Sequence, residues 1–198
     1  MNIEAKLKKE ICEIARRLVQ YHLLTYSGGN ISVRLKDAML ITPRFSAERF
    51  FWELEPKLIR KLSLKDELER IPEDASRESF LHYEVLRAFP LIEALIHSHE
   101  RNSLSFAVHG KSLNLSGELK EALGETVPIC QWAPSGTREL ARNACETLMA
   151  NFSKKSGEMA VLLHGHGILV GATSLAKCAS LLCAISELAF AQAFAQLP

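Results

Sequence analysis

The sequence predicts an α/β layered domain built on a largely antiparallel sheet, and three observations carry that prediction. With 198 residues and 47% hydrophobic side chains, the chain has single-domain size over residues 1–198 and enough apolar surface for one core. Short apolar or alternating runs suited to strands are interleaved with capped, amphipathic segments suited to helices. The expected strands come in pairs between helices, without the steady βαβ alternation of a parallel sheet.

Ile3, Leu7, Ile11, Ile14 and Leu18 recur at steps of three or four, so they form one stripe of an amphipathic helix expected to end near Leu24. Ser27-Gly28-Gly29-Asn30 breaks that helix, and Ile31 to Leu35 then alternates as a half-buried strand does. Asp37 turns the chain into a second short strand, Met39 to Thr42. Residues 46–76 carry charge and scattered leucines between Pro56 and Pro72, and read only as helix plus loop. A helix from about Arg77 to Phe89 is closed by Pro90, and the apolar run Leu91 to Ile96 is a buried strand. Further on, Ser103 to Val108 reads as helix, Val127 to Trp132 as strand, and Thr137 as the N-cap of a helix to about Phe152. Met159 to Leu163 and Ile168 to Val170 are the last strands, and Ser174 caps a final long helix.

Composition excludes several classes of function. Lys and Arg total 24 against 23 for Asp and Glu, so no global field attracts nucleic acid or an anionic membrane, and recognition of an anionic small molecule must be local. The five cysteines are odd in number and form no C-x-x-C pair, which argues against a disulfide framework and fits a reducing cytoplasm. Charges among the first ten residues leave no apolar stretch for a signal peptide. The apolar segment Leu175 to Leu197 is interrupted by Lys177 and Glu187, so it reads as a buried or subunit-packing helix with no membrane span.

The chemistry concentrates in histidines. His97 and His99 sit two apart at the end of a strand-like run, so both project from one face while Ser98 points away. His164 and His166 repeat the spacing after Ala160 to Leu163, so two edges can converge on one ion. A divalent metal fits imidazole ligands; zinc is expected, with manganese and cobalt as alternatives, and three ligands plus an open position define a catalytic site. Any isolated His-x-His pair is as readily a strand cap as a ligand pair; two pairs after apolar runs favour the metal. Glu78 and His82, spaced i, i+4, share a helix face and can both reach a neighbouring strand. Beside a metal, Glu78 suits proton transfer; the alternative is an exposed glutamate favoured by the helix macrodipole. Ser27-Gly28-Gly29-Asn30 suits either an anion-binding backbone nest or a simple helix stop.

These residues together resemble the class II aldolase and adducin head-domain family. The matching motifs are Gly29-Asn30-Ile31-Ser32-Val33-Arg34, Met39 to Pro43, Glu78-x-x-x-His82, His97-x-His99, Gly136-Thr137-Arg138-Glu139-Leu140 and Leu162-Leu163-His164-Gly165-His166-Gly167, in family order from first helix to last. The resemblance implies a three-layer α/β/α fold with a central, mainly antiparallel sheet. It implies His97, His99 and His166 as metal ligands, with His164 a neighbour, Glu78 as acid/base and occasional fourth ligand, and Gly29 and Asn30 at phosphate-contacting positions. It also implies a homotetramer with active sites at subunit interfaces. The implied activity is reversible aldol cleavage of a small sugar phosphate or related polyol acid through an enediolate. Epimerisation, dehydration, decarboxylation and catalytically silent binding are the family's alternatives.

The sequence also departs from the family pattern. Arg44 and Phe45 follow Pro43 where a small hydroxyl residue and glycine are usual, and Ser76-Arg77 replaces a hydroxyl pair before the glutamate. Arg44 and Arg77 are therefore expected either to contact a carboxylate or a displaced phosphate, or to be solvated loop arginines. The tyrosines Tyr21, Tyr26 and Tyr83 all lie early, and the sequence given ends at Pro198, so the family's tyrosine proton donor has no counterpart in it. A substrate other than fuculose phosphate is expected.

Overall fold

The computed structural model describes residues 2–152 and 157–195. The first helix, α1 (Ile3–Gln20), is capped by the Asn2 side chain accepting from the Ala5 N–H. It stops four residues short of the expected end, because Leu23 and Leu24 both return N–H bonds to the Leu18 carbonyl in a tight turn. Ile11 and Leu18 of the predicted stripe are buried and Leu7 and Ile14 partly so, whereas Ile3 at the first turn is 56% exposed.

The strands are β1 (Asn30–Leu35), β2 (Ala38–Ile41), β3 (Arg60–Ser63), β4 (Ala94–Ser98), β5 (Leu113–Asn114), β6 (Thr126–Val127), β7 (Ile129–Cys130), β8 (Glu158–Leu163) and β9 (Gly167–Ala172). Seven form one sheet in the order β3-β2-β1-β4-β9-β8-β7, while β5 and β6 pair separately. Every neighbour in the large sheet is antiparallel except β7 with β8, which is parallel. The strand expected over Val127 to Trp132 is thus two strands broken at Pro128, which has no N–H for a continuous ladder. Strand β3 was not legible in the sequence: only Leu62 of its four residues is buried, as suits a charged sheet edge.

Helices cover both faces and complete the three layers. On one side α1, α4 (Arg101–Val108), α5 (Gly117–Leu123) and α7 (Leu175–Phe194) pack on Ile31, Val33, Ile96, Leu162, Ile168 and Val170. On the other, α3 (Ser79–Ala88) and α6 (Arg138–Asn151) pack on Met39, Ile41, Leu95, Val161, Leu163 and Leu169. Successive residues of one strand therefore feed different cores. β1 is accordingly not half-buried as its alternation suggests: Ser32 is fully buried under α3. The remaining helix, α2 (Ser46–Phe50), is short, and the predicted caps Thr137 and Ser174 accept from the N–H groups of Leu140 and Lys177.

Helix α7 is long and apolar enough to cross a membrane by composition alone, yet Leu175, Cys178, Leu182 and Ile185 along it pack into the core beside the sheet. Residues 196–198, the end of the predicted apolar segment, lie outside the described residues. Arg34 fixes α3 between β1 and β4: its Nε donates to the Ile92 carbonyl at 3.1 Å and its Nη2 to the carbonyls of Leu86 and Phe89. A cation on these end-of-helix carbonyls satisfies acceptors that the helix itself leaves open.

Candidate metal centre and its cleft

Three imidazoles converge where the central strands end. His97 lies in β4, paired in register with Asn30 on one side and Leu169 on the other. His99 follows one residue beyond the strand, and Ser98 between them points away, donating to the Leu23 carbonyl. His166 comes from the turn between β8 and β9. The three rings stand 4.6–4.8 Å apart by centroid, and one ligating nitrogen from each lies within 4.8 Å of the others.

The strand-alternation argument that grouped His164 with His166 does not apply, because both lie on a turn in which Gly165 adopts φ +70°. His164 instead faces the Gly110 turn, and the triad takes only His166. Two glycines make the convergence possible. A Cβ on Gly167 would come within 2.3 Å of the Ser98 carbonyl oxygen, and one on Gly29, at φ +120°, within 2.9 Å of the His97 carbonyl oxygen.

Hydrogen bonding sets the donor chemistry. His97 Nδ1–H donates to the Ile168 carbonyl at 2.9 Å, and His99 Nδ1–H to the Ser27 carbonyl at 3.0 Å. Each neutral ring thereby turns an Nε2 lone pair inward, and the two Nε2 atoms meet at 2.9 Å. Two lone pairs facing each other repel; a cation between them removes the conflict. Among the described residues His166 Nδ1 is buried with no hydrogen-bond partner, a further polar atom left open. Burial first favours the neutral form of all three rings, with neighbouring imidazoles next for His97 and His166: His97 is driven well below the usual imidazole value, His166 falls to about 4, and His99 is lowered against the opposing Ser27 carbonyl. Neutral imidazoles are the form that ligates metal, so this donor set fits a divalent ion.

Glu78 stands at the N-cap of α3, only 6% exposed, and the exposed-glutamate alternative is thereby excluded. Its Oε1 accepts from the Gly136 N–H at 2.9 Å and lies 3.8 Å from His166 Nε2. Burial pushes its carboxyl up to about 7, against the lowering effects of the Gly136 N–H and the Arg77 guanidinium. A carboxyl poised there can both give and accept a proton near neutrality.

A cleft opens above this cluster, lined by Gly29, Asn30, Phe45, Ser76, Arg77 and Glu78 together with the three histidines. Every site residue expected from the sequence reaches it except Arg44, whose Nε donates to the Ala75 carbonyl at 3.2 Å outside the lining. Arg77 is exposed, with its guanidinium 5.7 Å from the centre of the Phe45 ring. Sequence reasoning missed three contributors. Ser32 holds His82, and the Gly136 N–H holds Glu78. Phe45 lines the cleft in a left-handed conformation, φ +60°, at the position where the family pattern has glycine. A buried-looking polar residue two positions from Asn30 was the available signal for Ser32; for Phe45 and Gly136 the signal was the family pattern, which Phe45 departs from and Gly136 matches.

The fold and the three-histidine, one-carboxylate site define a class II aldolase type of enzyme. The model of the class II aldolase and adducin N-terminal domain matches residues 9–193, and the chain belongs to that family. It is 28% identical over 184 residues to the 5-methylthioribulose-1-phosphate/5-deoxyribulose-1-phosphate aldolase of Rhodospirillum rubrum, covering 92% of this chain and 78% of that protein. It is 26% identical over 173 residues to the L-fuculose phosphate aldolase of Escherichia coli, covering 87% of this chain and 75% of that one. Among solved structures, an L-fuculose 1-phosphate aldolase superposes with a TM-score of 0.83 at 27% identity, covering 96% of this chain and 86% of its own.

Proposed function

We propose that the protein is a metal-dependent lyase that reversibly cleaves the C3–C4 bond, between the carbons alpha and beta to the carbonyl, of a small ketose 1-phosphate. The observation that carries this reading is the buried Glu78 carboxyl beside three neutral, convergent imidazoles. His97, His99 and His166 would hold the ion, with zinc favoured and manganese or cobalt compatible with the same donors. Such an ion supplies Lewis-acid polarisation of a carbonyl oxygen and charge stabilisation for an enediolate of the substrate.

The chain's own residues do the rest. Glu78, held by the Gly136 N–H, is placed to protonate the enediolate carbon after cleavage and to remove that proton in the synthetic direction. Glu78 itself is only 6% exposed, which limits water at its carboxyl. On the cleft wall beside the histidines and Glu78, Gly29, Asn30, Ser76 and Arg77 would take the anionic group, with Arg77 supplying charge in place of a small hydroxyl. Cleavage of a 1-phospho-2-ketose between C3 and C4, with the 4-hydroxyl proton passing to solvent and C3 protonated by Glu78, releases dihydroxyacetone phosphate and an aldehyde, whose identity the Phe45 side of the cleft would help select.

Arg77 also favours a second substrate within the same chemistry, a polyol acid whose carboxylate the guanidinium binds in a bidentate manner. A homotetramer and a cytoplasmic location belong to the same proposal, supported by exposed Trp132, Phe190 and Phe194 and by the free cysteines. The test combines metal analysis of protein purified without added ions with an assay for aldol addition of dihydroxyacetone phosphate to short aldehydes. Near-stoichiometric divalent metal and metal-dependent product are expected. Metal-loaded protein that forms no product with any aldehyde of two to six carbons would reject the ketose phosphate reading.

A further inference from the structure

The i, i+4 partner of Glu78 has a role that the metal chemistry does not absorb. His82 is fully buried on α3, between that helix and β1. Both of its ring nitrogens are engaged: Nδ1 lies 2.6 Å from Ser32 Oγ and Nε2 lies 2.5 Å from Asn30 Oδ1. It has no nitrogen left for a metal or a substrate, so it acts only through its neighbours.

The partners decide which nitrogen carries the proton. An amide oxygen cannot donate, so Nε2–H donates to Asn30 Oδ1; Nδ1 is then a lone pair that accepts the Ser32 hydroxyl proton. Ser32 and Asn30 are two apart on β1 and therefore on one face, which lets a single ring bridge them. With its oxygen accepting from Nε2–H, Asn30 can turn its carboxamide by half a turn only if the His82 proton moves to Nδ1 and the Ser32 hydroxyl turns to accept it. The edge of Asn30 left for the cleft is its NH2 group. Asn30 is the register partner of His97, so that group is presented beside the metal cluster.

We infer that His82, held by Ser32, is a positioning residue that locks Asn30 with its amide N–H edge toward the cleft, so that this position recognises an oxygen acceptor on the substrate's anionic group. The inference rests on the proposed substrate reading for the identity of that acceptor, but the orientation of Asn30 stands on the hydrogen bonds alone. Burial reinforces it, holding the His82 imidazole neutral with its titration pushed down to about 3.

The test uses the metal-loaded full chain with dihydroxyacetone phosphate as the probe, measured by calorimetric titration, and reads the His82 ring by 15N NMR. The wild type should show a neutral ring protonated on Nε2 from pH 5 to 8. His82→Leu should keep its metal and weaken probe binding by about tenfold or more, the loss expected for a hydrogen bond to a charged group. His82→Gln, whose side-chain amide can still donate to Asn30, should recover binding to within about threefold of wild type, and Ser32→Ala should fall between the two. Equal binding by wild type and His82→Leu would overturn the inference, as would a ring protonated on Nδ1. If His82→Leu does not fold, His82→Gln weakened as much as Ser32→Ala, or more, would overturn it. A wild type that retains metal but does not bind the probe would instead defeat the substrate reading, and the NMR result would still decide the orientation of Asn30.

Discussion

At the metal end of the cleft, His97 comes from a central strand buried on both faces, and His97 and His99 are each pinned by a backbone carbonyl. At the anion end, Phe45, Ser76 and Arg77 come from connecting segments, and Arg77 is exposed, with the Phe45 ring beside it and its charge acting on Glu78, His99 and His166. The difference separates what must be rigid from what can vary. Ligand geometry depends on strand register and close backbone approach, so a side-chain change there disturbs the sheet. The loops can exchange a small residue for an arginine or phenylalanine without touching either core.

The sharpest way to break the comparison is to remove the metal end. His97→Ala with His99→Ala should abolish stoichiometric metal and reduce turnover by on the order of 10³-fold or more, measured by elemental analysis and steady-state assay. Glu78→Gln should retain the metal while kcat falls by about 10²- to 10⁴-fold, and unchanged turnover would remove Glu78 from the chemistry.

The same substitution separates function from stability. In the metal-free protein the Glu78 carboxyl is held neutral up to about 7, against 4.5 for the ordinary group. Its favourable contribution is thus complete below 4.5 and lost as pH rises through about 7. Metal-free Glu78→Gln should therefore be more stable than wild type at pH 8, by up to about 3 kcal/mol, and the gap should close in acid. Denaturant melts at the two pH values measure it.

At the anion end the effects should be smaller and confined to binding. Arg77→Ser should raise KM for an anionic substrate by about tenfold with little change in kcat, the loss of one charge-assisted contact. Arg44→Ser should change KM by less than about twofold, because its side chain is turned to the Ala75 carbonyl outside the cleft. A larger effect for Arg44 than for Arg77 would reverse the assignment of the anion end.

The layered architecture was largely legible in the sequence because apolar spacing reports directly on helix stripes and strand faces, as at Ile11, Ile14 and Leu18 or Ile31 and Val33. Pro128 divided one expected strand, and β3 stayed hidden because an edge strand with one buried residue carries almost no periodic signal. His97 and His99 were readable as a pair, since local spacing limits where two neighbouring rings can point. His166 over His164 was not readable from spacing, because a turn has no fixed alternation of side chains.

The sequence by itself thus determined the layers, the helix caps, the histidine pair and, through ordered motifs, the family. Only the tertiary structure decided that Glu78 is buried and held by Gly136, that His82 bridges Ser32 and Asn30, and that Arg77 alone of the two arginines faces the cleft. The physical reason is range. Periodicity and capping are set by residues within a few positions, whereas burial, proton affinity and the partner of a side chain depend on groups brought together from 50 or more positions away.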